Sequence, residues 1–127
     1  MRNEFVPYNI ALAMKELGFD EPCLGVYLEF GGFTLSSLLS QVEFKKKKNC
    51  LAPLYRQAFR WFRGKGFNFY IDSHTLDGKG KYKDYFFNID REGEYIVRIN
   101  HRDGYATYEE AEFKCLEKLI EIVKENL

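Results

Sequence analysis

The run FNFYIDSHTLDGKGKYKDYFFNIDREGEYIVRI, residues 67–99, decides the fold. Phe67, Phe69 and Ile71 alternate with Asn68, Tyr70 and Asp72. Tyr85, Phe87 and Ile89 alternate with Asp84, Phe86 and Asn88, and Tyr95, Val97 and Ile99 with Ile96, Arg98 and Asn100. A period of two places successive side chains on opposite faces of a strand. The breaks at Asp77-Gly78-Lys79-Gly80 and Arg91-Glu92-Gly93 supply turns, so a three-stranded antiparallel meander is expected. Its second face would show Tyr70, Phe86, Ile96 and Arg98, more apolar than an ordinary solvent face, and a covering partner or a homodimer would suit it.

Helical patterns flank the meander. Before it, Tyr55, Ala58, Phe59 and Phe62 form an apolar stripe, with Arg56, Arg60 and Arg63 beside it at i, i+4 and i+7. Pro53 suits a first helical position, and Gly64 and Gly66 suit the end. After it, Thr107-Tyr108-Glu109-Glu110 fits a capping box. Ala111, Phe113, Cys115, Leu116, Leu119, Ile120, Ile122, Val123 and Leu127 then cover about half the circumference of a helix. Glu110 and Lys114 form an i, i+4 pair on the charged face. Glu112 projects onto the apolar half and is read as an early-turn carboxylate favoured by the helix dipole.

The first third of the chain repeats the pattern more weakly. Ile10, Ala13, Met14 and Leu17 recur at helical spacing, and Gly18 and Pro22 stop the helix, which is expected over residues 8–17. Leu24 to Phe30 favours a strand, Gly31-Gly32 a turn, and Phe33 to Leu38 a returning strand. Residues 39–50 have no clean period. The sum is an α+β chain, three helices packed on an antiparallel sheet in the order α-β-β-α-β-β-β-α. It is expected to form a single domain over 1–127, with an N-terminal helix and hairpin over 1–44, a basic connection over 45–51 and an α-β-β-β-α unit over 52–127.

Composition supports a substantial core. A chain of 127 residues with 12 Phe and 9 Tyr fills it with flat side chains. No apolar run approaches the roughly 18 residues of a membrane span, and no secretory h-region opens the chain, so a cytoplasmic location without a membrane partner is expected. Cys23, Cys50 and Cys115 lack C-x-x-C spacing, and Cys115 falls on a helical core face as an inert thiol.

Net charge is zero, nineteen basic against nineteen acidic groups. Yet residues 45–71 hold eight basic side chains and no acidic one, while residues 1–44 hold two and six. Such a local field selects partners or docks against the protein's own acid. The candidate binding residues are therefore Lys45, Lys46, Lys47, Lys48, Arg56, Arg60, Trp61 and Arg63. The arginines supply forked donors, the lysines diffuse attraction, and Trp61 a stacking surface. An acidic protein surface, a nucleic acid held by the Lys45–Lys65 segment, and the chain's own acidic helices would each answer that field.

Catalytic signals are sparse. His74 and His101 stand beside turn residues, and nothing in the sequence positions either against Cys50 as a nucleophile's base. Asp72 and His74 at i, i+2 share a strand face, but a third metal ligand is missing. Gly78-Lys79-Gly80 lacks the following helix and hydroxyl of a phosphate loop. No cofactor or metal is expected, and the chain is read as a binder rather than an enzyme.

From Ala52 the order helix, strand, strand, strand, helix resembles that of double-stranded RNA-binding domains. Ala106-Thr-Tyr-Glu-Glu-Ala-Glu112 is similar to the start of that family's final helix. The resemblance covers about 75 residues and implies a fold. RNA-binding members place lysines at the start of that helix, where this chain has Glu109, Glu110 and Glu112, and carboxylates there repel a duplex backbone.

Glu16-Leu-Gly-Phe-Asp-Glu-Pro-Cys23, Ala52-Pro-Leu-Tyr-Arg-Gln-Ala-Phe-Arg-Trp-Phe-Arg63 and Tyr108-Glu-Glu-Ala-Glu, with Cys115-Leu-Glu-Lys-Leu-Ile-Glu-Ile-Val-Lys124, resemble uncharacterised small proteins of phages and other mobile elements of gut anaerobic bacteria. That resemblance implies a setting, the bacterial cytoplasm, and no mechanism.

Overall fold

A computed structural model of the chain describes residues 4–29, 31–38, 49–75, 83–92, 94–98 and 104–125. The fold is α+β, with helices α1 (Tyr8–Glu16), α2 (Tyr55–Gly64) and α3 (Tyr108–Glu125) and strands β1 (Gly25–Tyr27), β2 (Phe33–Leu35), β3 (Cys50–Ala52), β4 (Phe67–Thr75), β5 (Lys83–Arg91) and β6 (Glu94–Arg98). The strands form two antiparallel three-stranded sheets, ordered β2-β1-β3 and β4-β5-β6, where one sheet was expected. The chain divides into two compact units, Met1–Trp61 and Phe62–Leu127, with the boundary inside α2.

In the first unit α1 ends where the sequence places its stop. Gly18 takes φ +101°, the Gly18 N–H donates to Lys15 O at 3.0 Å, and the Phe19 N–H reaches back to Met14 O at 2.9 Å. That is the double closure of a Schellman motif, with Met14 and Phe19 both buried. β1 and β2 pair through Tyr27 opposite Phe33, and the Leu28 N–H donates to Gly32 O at 2.7 Å across the turn. β2 stops at Leu35, because Ser36–Leu38 coil into a 3-10 turn whose Ser36 Oγ donates to Cys23 O at 2.8 Å.

β3 corrects the expected basic connection over 45–51. Cys50 and Leu51 belong to a strand that pairs with β1, Tyr27 opposite Cys50 and Gly25 opposite Ala52. Lys45 to Lys48 lie outside the described residues. Pro53 is likewise not the first residue of α2. Its carbonyl accepts the Val6 N–H at 2.9 Å, the neighbouring Leu54 bridges Phe5, and the helix opens one residue later, with Leu54 O accepting from Ala58. Engagement with the residue 5–6 segment keeps Pro53 outside the helix, which opens at Tyr55.

Aromatic rings close this unit. Tyr27 Oη donates to Val6 O at 2.6 Å, and Phe33 lies 5.0 Å from Phe5 and 5.4 Å from Tyr27 between ring centroids. Gly25 sits beneath them. A Cβ at this position would lie 2.7 Å from one Phe33 ring carbon and 2.9 Å from one of Phe5.

In the second unit β4 and β5 run in unbroken register from Phe67 opposite Arg91 to Thr75 opposite Lys83. β5 and β6 shift register between Ile89 and Asp90, so Val97 stands opposite Ile89 but Tyr95 opposite Asp90. The even alternation expected over 95–99 is thus interrupted by a bulge. Beyond β6, Tyr105 takes up the same side of β5 by bridging Tyr85.

α3 packs on β4 and β5. Its Ala111, Cys115, Leu116, Leu119, Ile120 and Ile122 are buried, as are Phe67, Phe87 and Ile89 of the sheet. The Thr107 hydroxyl accepts the Glu110 N–H at 3.1 Å, which is one half of the expected capping box. Lys114 pairs with Glu117 at 3.2 Å rather than with Glu110, and Lys118 with Glu121 at 3.1 Å. Among the described residues no helix is long and apolar enough to cross a membrane.

The Gly25 packing has a direct consequence. Gly25→Ala forces the Phe33 and Phe5 rings apart and is expected to cost about 1–3 kcal/mol, read from chemical denaturation of the full chain.

Candidate functional site

Helix α2 carries the arginines as a stripe because its apolar residues are drawn inward. Ala58, Phe59 and Phe62 are buried, and Arg56, Arg60 and Arg63, offset around the same helix, are exposed. Gln57 anchors the first turns, its Nε2 donating to Pro22 O at 2.8 Å. The helix ends as the Lys65 and Gly66 N–H groups close on Phe62 O and Arg63 O, with Gly66 at φ +95°.

The three guanidiniums differ in their surroundings. Arg56 has no ion pair among the described residues. Arg60 approaches Glu21, Nη2 to Oε1 3.7 Å, with the two side chains 69% and 36% exposed. A pair so long and so wet contributes under about 1 kcal/mol and is readily exchanged for another carboxylate. Arg63 lies over the Phe69 ring, its Cζ 5.5 Å from the centroid. The ring quadrupole orients the guanidinium and leaves its N–H fork available for acceptors.

Trp61, the candidate stacking surface, has a neighbour within the protein. It is half-buried, with its ring edge-on to the buried Phe19 at 5.5 Å and 86°, so the indole is part of the packing of the first unit. Of the eight candidate residues, the structure therefore brings three arginines onto one helix, turns Trp61 inward, and leaves Lys45, Lys46, Lys47 and Lys48 outside the described residues.

The second face of the β4-β5 pair is more acidic than expected. Burial of Phe67, Phe87 and Ile89 against α3 assigns Asn68, Tyr70 and Asp72 of β4, and Asp84, Phe86, Asn88 and Asp90 of β5, to the other side. Tyr70 is 59% exposed and Phe86 half-buried, but Asn68 Nδ2 donates to Asp90 Oδ1 at 3.1 Å and the row holds three aspartates. The register also sets Asp84 opposite His74, a juxtaposition invisible in the sequence because nine residues separate the two positions. Among the described residues no cluster of three His, Cys, Asp or Glu side chains could hold a metal.

The cysteines are buried and free. Burial is the main reason that the Cys23 and Cys115 thiols are pushed up to about 12, and it raises Cys50 as well, with Lys15 opposing. All three stay protonated at neutral pH, the opposite of what a nucleophile needs.

At the start of α3, Glu109 and Glu110 are exposed, and Glu112 is half-buried. Burial, then repulsion from Glu109, raises the Glu112 carboxyl above its ordinary value. Desolvation outweighs the helix dipole expected to favour its charge. The same burial, with Glu112 and Cys115 nearby, raises the Tyr108 hydroxyl. Comparison with family models, curated proteins and solved structures yields no match.

Glu112 has a measurable signature. An acid whose folded value lies above its unfolded value contributes least once ionised, so its penalty grows as pH rises from the unfolded value, 4.5, through the folded one. Glu112→Gln should therefore stabilise the protein at pH 7, and its advantage should vanish below pH about 4, as read from thermal midpoints across that range.

Proposed function

We propose that this chain is a small non-enzymatic interaction protein that grips an acidic protein surface through the arginines of α2. The observation that carries the proposal is that Arg56, Arg60 and Arg63 are exposed on α2 within a stretch, 45–71, free of acidic side chains. Forked donors at helical spacing recognise carboxylates bidentately, and helical backbone needs less ordering on binding than a loop does. The long Arg60–Glu21 contact is a weak intramolecular competitor, which a better-placed carboxylate displaces.

Lys45 to Lys48, next in sequence, add attraction to this proposal that speeds encounter more than it raises affinity. The raised thiols of Cys23, Cys50 and Cys115 support binding rather than thiol chemistry as the activity. The resemblance to proteins of phages and mobile elements supplies the proposed setting, the bacterial cytoplasm. A nucleic acid would also answer the basic row, but carboxylates stand at Glu109, Glu110 and Glu112 where RNA-binding domains of similar layout place lysines.

The decisive experiment compares the wild type with Arg56→Glu, Arg60→Glu, Arg63→Glu in affinity capture from bacterial lysate with and without nuclease. A partner that survives nuclease and binds the variant at least about tenfold more weakly supports the proposal. A low-salt mobility shift with single or double strands, lost in the variant and falling steeply with added salt, would transfer the site to nucleic acid. Capture indifferent to the triple reversal would remove α2 from recognition altogether.

A further inference from the structure

Helix α2 already carries an acidic stretch of its own chain, Phe19-Asp20-Glu21-Pro22-Cys23, which follows the stop of α1. Phe19 meets the Trp61 ring edge-on at 5.5 Å, Glu21 Oε1 lies 3.7 Å from Arg60 Nη2, and Pro22 O accepts Gln57 Nε2 at 2.8 Å. As the stretch advances from Phe19 to Pro22, its contacts step back along the helix from Trp61 to Gln57, so it runs against the direction of α2. All of these residues belong to the first unit.

The anchors on either side of Glu21 are firmer than its own contact. Phe19 and Cys23 are buried, and Cys23 Sγ donates to Glu21 O at 3.3 Å. Pro22 disfavours helical backbone at the residue before it, which keeps Glu21 from coiling away. The Glu21 carboxylate is therefore delivered to Arg60 by an anchored backbone, at the roughly millimolar or higher effective concentration of an intramolecular group. The ion pair itself is long and wet, so the side chain swings free at little cost while the backbone stays. Arg56, one helical turn earlier, has no ion pair among the described residues.

We infer that Glu21 regulates the arginine row from within the chain: strapped to α2, it occupies Arg60 until carboxylates of a partner displace it. The inference rests on the proposed grip of α2 on acidic surfaces and adds that the free chain is partly self-inhibited. Only the Glu21 side chain leaves on binding, because Phe19, Pro22 and Cys23 keep their own contacts. The device also selects. At Arg60 an isolated carboxylate merely replaces one ion pair with another, whereas a partner with clustered carboxylates gains Arg56 as well and drives the exchange.

Binding of a fluorescent oligoglutamate peptide to the full chain at low salt reads the exchange. Glu21→Gln should tighten that binding about two- to fivefold, with far-UV circular dichroism unchanged. Asp20→Asn removes the same charge from the neighbouring exposed residue, which makes no ion pair among the described residues, and should shift the affinity less. In an Arg60→Gln background, Glu21→Gln should do no more than Asp20→Asn, since the competitor then has nothing to occupy. Peptide binding that is lost in Arg56→Glu, Arg60→Glu, Arg63→Glu yet indifferent to Glu21→Gln would overturn this inference and leave the α2 reading standing. An equal gain from Asp20→Asn would overturn it too, because general charge removal would then account for the effect. Failure of both the wild type and Glu21→Gln to bind the peptide would overturn the inference and the α2 reading together.

Discussion

Strand β5 is hydrogen-bonded on both sides, and the second unit depends on that. One flank takes the whole of β4, while the other takes β6 and then Tyr105. Tyr105 N and O are held by Tyr85, and three residues later α3 begins. The bridge therefore sets where the last helix starts, and the side-chain alternation of β5 sets which sheet face that helix covers. Phe87 stacks parallel to Tyr105 at 6.2 Å, and Tyr85 meets Tyr108 edge-on at 6.2 Å, so rings reinforce the backbone connection. Gly104 is part of the same constraint: a Cβ there would lie 2.7 Å from the Asp84 Cβ, and only a bare backbone approaches so closely.

The first unit reaches stability by a different route. Its strands are three residues long, and a ladder that short cannot hold a sheet by itself. Side chains carry the load. Phe5, Val6, Ile10, Met14, Phe19, Val26 and Tyr27 are buried, and the Tyr27 hydroxyl ties β1 to the segment before α1. The segment around Phe5 and Val6 pairs with Pro53 and Leu54, almost the full length of the unit away in sequence. Order here rests on contacts between distant residues, which cost more loop-closure entropy than hairpins do.

Charge is distributed by element rather than by sum. α2 presents arginines, while the starts of α3 and the outer face of β4-β5 present carboxylates. A net charge of zero hides all of this, because a local field depends on neighbours within about a Debye length. The arginines also have structural uses. Arg63 lies over Phe69 and Arg91 over Phe67, so cations roof the ring edges of β4 as well as facing solvent.

Local pattern made much of this legible. The three helices, the β1-β2 hairpin, the strands of the meander, the stop at Gly18 and the cap at Thr107 follow from periodicities and from residues with one dominant conformational use. The arginine stripe was legible for the same reason, since helical spacing alone puts i, i+4 and i+7 together. Trp61 was not, because its exposure depends on Phe19, forty-two residues earlier. Local spacing alone settles the three helices and five of the six described strands, and the core-facing side of most of them. That residues 50–52 complete a second sheet, that Pro53 stays outside the helix, that a bulge interrupts β6, and that Glu112 resists ionisation follows only from the tertiary contacts. Each of these depends on groups brought together from afar, through hydrogen bonds or desolvation that no local window contains.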